Sequence, residues 1–253
     1  MGQLDGKVAI VTGGGRGLGR AYCTALAAEG AAVVAADTRE TDATVAAVEA
    51  AGGRIAGVSL DVADMDSCAA MAAAALAAFG RIDVLVNNAA LYGDISGGRF
   101  DRLSGDQWDR VMTVNVKGVW QCCKACVPAM REAGGGAIVN ISSLAAAYGM
   151  AYAADYATSK AAVIGLTRSL ARELGRDWIR VNAVAPSAVL TEGTDEFMGE
   201  KRDDMLAAIA QAQSLKSNLD PADMTGTIVY LASDASRFVT GQTIMVDGGT
   251  VML

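Results

Sequence analysis

Histidine is absent from this chain of 253 residues. That removes the side chain most often used to move protons near neutral pH. It also removes the ligand that most often completes a cysteine-based zinc site. Cysteine is scarce: Cys23, Cys68, Cys122, Cys123 and Cys126 are an odd set with no framework spacing, which excludes a disulfide scaffold. On a helix Cys122 and Cys126 share a face while Cys123 turns away, so these thiols read as buried and free, and no metal site is expected. No apolar run approaches the ~18–20 residues that span a bilayer. The stretch from Met1 to Lys7 lacks the charged-then-apolar layout of a signal peptide. The expected setting is the cytoplasm, with no membrane partner. Positive charge is in deficit, the net charge being -7, which argues against nucleic acid as a partner.

What is present suits one large domain with a substantial core, since 52% of residues are hydrophobic and 19% charged. Apolar runs of strand length alternate with helix-length segments. Expected strands are Lys7 to Thr12, Ala31 to Ala36, Arg54 to Leu60, Ile82 to Val86, Ala137 to Ile141, Ile179 to Ala185 and Thr243 to Val246. Strands separated by helices indicate right-handed βαβ units, hence an α/β fold with a doubly wound parallel sheet of about seven strands and helices on both faces. A single long helix is expected from Gln107 to Arg131, and a loop from Leu144 to Ala154. Between Ser187 and Leu219 the alternation is lost. A long insertion at a binding rim is usually a lid, so 187–219 is expected to be one within a single 1–253 domain.

Ligands on such sheets lie at the carboxyl ends of the strands. There the first strand runs into Thr12-Gly13-Gly14-Gly15-Arg16-Gly17-Leu18-Gly19, and a helix is expected from Arg20 to Glu29. Glycines in that context let the backbone approach a pyrophosphate, and the helix N-terminus supplies N–H groups. Asp37 ends the second strand about 20 residues on, where a carboxylate can bind ribose hydroxyls and repel an extra phosphate. Arg16 and Arg39 pull the other way, because either could pair with a 2′-phosphate. Asp61-Val62 and Asn87-Asn88-Ala89-Ala90 end later strands and belong to the same rim.

Tyr156-Ala157-Thr158-Ser159-Lys160 places a phenol and an ammonium four residues apart on one helix face. A nearby cation favours the phenolate, and bringing a Tyr within reach of neutral pH takes about 3–4 kcal/mol. A phenol so tuned can donate and accept a proton. Ser142-Ser143 ends the strand before it. Asn115 lies amid apolar neighbours inside a helix, which is unfavourable unless its amide is used.

Together these motifs resemble the short-chain dehydrogenase/reductase family across essentially the whole chain. They are Thr12-Gly13-x-x-x-Gly17-x-Gly19, Asp61-Val62, Asn87-Asn88-Ala89, Asn115, Ser143 and Tyr156-x-x-x-Lys160. Ser143 precedes Tyr156 by the interval this family shows. The resemblance implies a Rossmann fold and a catalytic set of Asn115, Ser143, Tyr156 and Lys160. Tyr156 would be the acid/base, Lys160 would lower its pKa and bind ribose, Ser143 would hold the substrate oxygen, and Asn115 would hold a water. Cofactor contacts would come from Gly13, Arg16, Gly17, Leu18, Gly19, Asp37, Asp61, Val62, Asn88, Tyr156, Lys160, Val189 and Thr191. The family also implies a homotetramer built by pairing the Asn115 and Tyr156 helices, whose apolar residues include Val119, Trp120, Val163, Leu166 and Leu170. Two positions depart from the pattern: Ala90 and Ser187 stand where the family usually has glycine.

The resulting expectation is an NAD-dependent oxidoreductase (NADP being the lesser expectation) for a small apolar or aromatic secondary alcohol and its ketone. Ser143, Ala145, Tyr148, Tyr156 and Leu190 would contact the substrate, with Leu91, Tyr92, Met150, Phe197 and Met198 on its wall. The alternatives are an NADPH-dependent 3-oxoacyl-thioester reductase and a dinucleotide-binding protein without turnover.

Overall fold

Short runs rich in valine, isoleucine and alanine pair here as strands, the inner ones buried on both sides and the edge strands partly exposed. A computed structural model describes residues 2–93 and 95–252; Met1 and Leu253, the ends of the expected 1–253 domain, lie outside the described residues. The strands are β1 Val8–Thr12, β2 Ala32–Asp37, β3 Arg54–Ser59, β4 Val84–Asn87, β5 Gly136–Ile141, β6 Ile179–Pro186 and β7 Thr243–Val246. They form one sheet in the order β3-β2-β1-β4-β5-β6-β7, parallel at every pairing. The chain winds outward from β1 to β3, then crosses back to lay β4 on the other side of β1. The strand order reverses between β1 and β4, and such a reversal opens a crevice at the strand ends.

Ten helices connect the strands among the described residues: α1 Gly17–Ala28, α2 Asp42–Ala50, α3 Met65–Phe79, α4 Gly105–Met112, α5 Gly118–Glu132, α6 Ala145–Tyr148, α7 Ala154–Leu174, α8 Glu192–Met198, α9 Arg202–Ala212 and α10 Pro221–Ala232. Alternate strand residues face opposite ways. Ile10, Val34, Leu85, Ile138 and Val181 pack under α3, α5 and α7, whereas Val11, Val33, Val86 and Val139 pack under α1 and α10. Helix starts are fixed chemically. Asp64 accepts a hydrogen bond from the Asp66 N–H at α3, and Asp220 and Asp223 form a reciprocal capping box at α10. No described helix is long and apolar enough to cross a membrane.

The helices and apolar faces differ from the sequence expectations at several points. The helix expected over 107–131 is interrupted by a π-helical turn at Thr113–Lys117, which α-helical periodicity on either side conceals. The extra residue in that turn carries Asn115 inward. The expected loop after Leu144 contains α6, and the 187–219 segment contains α8 and α9. Val119 and Val163, expected at a subunit face, are buried inside the protomer core; Leu166 and Leu170 pack partly against it, and Trp120 stays 42% exposed.

Candidate active site

The turn after β1 is held by the end of β4. Asn88 Nδ2 donates to the carbonyls of Thr12 and Gly13 at 3.0 and 3.2 Å. The N–H groups of Asn88 and Ala89 both donate to Thr12 Oγ1 at 3.0 Å. Gly13 sits at φ +67° and Gly17 at +52°, conformations that side chains resist. A Cβ on Gly19 would overlap the Gly13 carbonyl oxygen. α1 therefore starts at Gly17, earlier than the expected Arg20, and its first turn faces the crevice. Asp37 closes the other side: its Oδ2 accepts from the Gly15 N–H at 2.9 Å and its Oδ1 from the Arg39 N–H at 3.0 Å.

Around this turn lies a cavity of about 280 Å³ lined by Gly13, Arg16, Gly17, Leu18, Gly19, Asp37, Asp61, Val62 and Asn88, and by Thr191 from the 187–219 segment. A second cavity of about 330 Å³ holds Ser143, Tyr156 and Lys160. The two share Leu18, Asn88, Ala90, Tyr92 and Thr191, so one passage runs from the glycine turn to Tyr156. Backbone N–H groups, close-approach glycines and a carboxylate at the β2 end fit a dinucleotide.

Tyr156 and Lys160 both lie in the first turns of α7 and are buried. Lys160 Nζ sits 5.7 Å from the centre of the Tyr156 ring and donates to the Ile141 carbonyl at 2.9 Å. Burial pulls the Lys160 ammonium down from 10.5 to about 8. Burial also raises the Tyr156 phenol well above its ordinary value, with the Tyr92 phenol adding to the rise and a hydrogen bond with Ser143 opposing it. In the chain without cofactor, desolvation of the phenolate is the dominant influence on this phenol. Tyr92 packs 5.2 Å from Tyr156 and stacks on Phe197 at 4.6 Å.

Asn115 is 1% exposed and braces this cluster. Its Oδ1 accepts from the Leu91 N–H at 2.8 Å, while its amide donates to the Leu91 carbonyl and to Ser159 Oγ at 3.2 and 3.1 Å. Both amide hydrogens are engaged, so a water here would be held by carbonyl oxygen.

Of the expected substrate contacts, Ser143, Ala145, Tyr148 and Tyr156 line the second cavity together with Tyr92, Met150 and Met198. Leu190 does not. Val189 bridges to Leu219 and the Leu190 N–H bonds the Leu219 carbonyl, so the extended chain alternates, turning Val189 and Thr191 inward and Leu190 away. Leu91 lines the dinucleotide-side cavity, and Phe197 stands behind Tyr92. Sequence reading missed Met205, Ile209 and Ala212 of α9, which complete the far wall. Their i, i+4, i+7 spacing on one helix face was the available signal. The five cysteines are buried free thiols, and no group of three or more His, Cys, Asp or Glu among the described residues is placed to hold a metal ion.

Residues 13–251 match the family model described as enoyl-(acyl carrier protein) reductase. The chain belongs to the short-chain dehydrogenase/reductase family. It is 44% identical over 249 residues to the short-chain reductase protein NovJ of Streptomyces niveus, covering 96% of this chain and 93% of that one. It is 39% identical over 249 residues to the 3-oxoacyl-(acyl-carrier-protein) reductase FabG of Staphylococcus aureus, covering 97% and 98%. Among solved structures, a Beutenbergia cavernae protein superposes with a TM-score of 0.90 at 38% identity, over 98% of this chain and 97% of that chain. That protein is provisionally assigned as an NAD(P)-dependent gluconate 5-dehydrogenase and holds NADP at low occupancy. The fold, the family and its oxidoreductase chemistry with a nicotinamide dinucleotide are therefore established for this chain.

Proposed function

We propose that this chain uses NAD(H) to interconvert a small neutral secondary alcohol and its ketone. The observation that carries the reading is that the apolar cavity lined by Tyr156 and Ser143 shares walls with the dinucleotide-sized one. Lys160 is the one charged side chain among the described lining residues of that apolar cavity. A neutral apolar or aromatic substrate suits such walls, and an anionic one does not.

A bound nicotinamide supplies or accepts the hydride. In the reducing direction Tyr156 gives its phenolic proton to the carbonyl oxygen, and in the oxidising direction its phenolate takes that proton back. Ser143 hydrogen-bonds the same oxygen and stabilises the charge that develops on it. Lys160 would hold the ribose of the bound cofactor, beside the Tyr156 ring. Asn115 positions Ser159 and Leu91 and holds the water through which the proton leaves. Segment 187–219 acts as the lid, α8 and α9 closing the far wall. Tyr156→Phe should abolish turnover, by about 10²–10⁴-fold, while NADH still binds with near-normal affinity. Full residual activity would remove the assignment.

Asp37 supports NAD, because a 2′-phosphate would lie against its carboxylate. The likeness to FabG favours a second reading, reduction of a 3-oxoacyl thioester with NADPH, and Arg16 is its structural support. Relative kcat/KM with NADH and NADPH separates the two. We further propose a homotetramer in which the exposed Trp120 and the adjoining groove of Met112, Val116 and Leu166 are covered by a second copy.

A further inference from the structure

Arg16 stands on the glycine turn, and Glu196 hangs from α8 above it. Arg16 Nη2 donates to Glu196 Oε2 at 2.7 Å, and Nη1 contacts Oε1. A planar guanidinium engaged by both carboxylate oxygens is the strongest form of this pair. The contact joins the lid to the cofactor turn across the mouth of the cleft. The Glu196 carboxyl is held below its ordinary range, chiefly by its hydrogen bonds to Arg16 and in smaller part by the charge of Arg39. These are the two arginines lining the cavity beside Asp37. The surroundings are shaped for this carboxylate as well: a Cβ on Gly93 would collide with Glu196 Oε2. The next residue on α8, Phe197, stacks on Tyr92.

We propose that Glu196 is a cofactor-specificity residue: with α8 lowered, its carboxylate occupies the guanidinium that a 2′-phosphate would need, so the closed chain accepts NAD and turns NADP away. The inference rests on the NAD reading above and deepens it. A phosphate monoester carries about −1.5 to −2 charges at neutral pH. Beside Arg16 it would meet the Asp37 carboxylate on the sheet side and the Glu196 carboxylate on the lid side. To pair with Arg16 it must displace Glu196 and lift α8. NADP binding and lid closure then oppose each other, whereas NAD binding leaves the Arg16–Glu196 pair intact. Coupling of this kind is reciprocal, so anything that closes the lid also worsens NADP affinity.

The test is a substrate-free titration with NADH and NADPH, followed by nicotinamide fluorescence. Glu196→Gln should tighten NADPH about tenfold while NADH changes less than about threefold, and the gain should shrink at high salt. Glu200→Gln makes the same charge change on the same lid and should leave the ratio of the two dissociation constants unaltered. In an Arg16→Ala background Glu196→Gln should change NADPH affinity by less than about twofold. Equal responses of the two cofactors to Glu196→Gln, an equal gain from Glu200→Gln, or a full gain without Arg16 would each overturn the proposal. A wild-type chain that already prefers NADPH overturns the NAD reading alone. The change on Glu196→Gln still reports separately whether Glu196 works against the phosphate.

Discussion

Replacing Lys160 with methionine isolates the energetics of a buried ammonium. Burial takes this lysine from 10.5 to about 8, which corresponds to about 3 kcal/mol of penalty at neutral pH. Methionine keeps the stem and drops the charge. It also removes the donor that reaches the Ile141 carbonyl at 2.9 Å, and leaving that oxygen without it costs about 1–3 kcal/mol. The two effects nearly cancel, so at neutral pH the variant should lie within about 2 kcal/mol of wild type. The pH profiles diverge. In the folded chain Lys160 releases its proton near 8, while the unfolded chain keeps it to 10.5. Between those values the unfolded state binds more protons, so stability rises with pH; below the window the penalty is complete and constant. Urea unfolding of the cofactor-free protein, run from about pH 7 to about pH 9.5, should show wild type gaining about 2 kcal/mol relative to Lys160→Met. Parallel profiles would refute the reasoning, because they would mean that the ammonium is hydrated in the fold.

Two further substitutions probe the turn and the outer face. Gly19→Ala puts a methyl against the Gly13 carbonyl oxygen; it should cost about 2–4 kcal/mol in denaturant unfolding and abolish NADH binding in fluorescence titration. Trp120→Glu places a charge at the centre of the proposed subunit contact, and the mass by light scattering should fall from four chains to fewer while the far-ultraviolet circular dichroism spectrum is retained.

Much of this architecture could be read from the chain because its signals are local. Continuous apolar runs such as Val8–Val11 and Ala32–Ala36 mark strands covered on both faces, and Gly30, at φ +94°, stops α1 where the sequence places its end. The glycine turn, Asp37, Asn88 and the Tyr156–Lys160 pair were legible because each residue type is needed for its own geometry. What escaped depends on contacts distant in sequence. The π turn at Asn115 exists because its amide meets Leu91, which no helical period reports. The α9 face of Met205, Ile209 and Ala212 becomes a wall only when the segment folds back over β5 and β6. The rise in the Tyr156 pKa comes from the depth of burial, and depth is a property of the assembled core. The Arg16–Glu196 pair joins residues 180 positions apart, and nothing in either neighbourhood announces it.

The carboxylate at the end of β2 is bolted into the scaffold as well as exposed to the cleft, since the Gly15 N–H hangs from one oxygen and the Arg39 N–H from the other. Retrofitting this chain for a phosphorylated cofactor by exchanging Asp37 would therefore slacken the hinge of the glycine turn in the same stroke. Position 196, on a short helix with no such duty to the turn's backbone, is the gentler place for an engineer, or for drift, to begin.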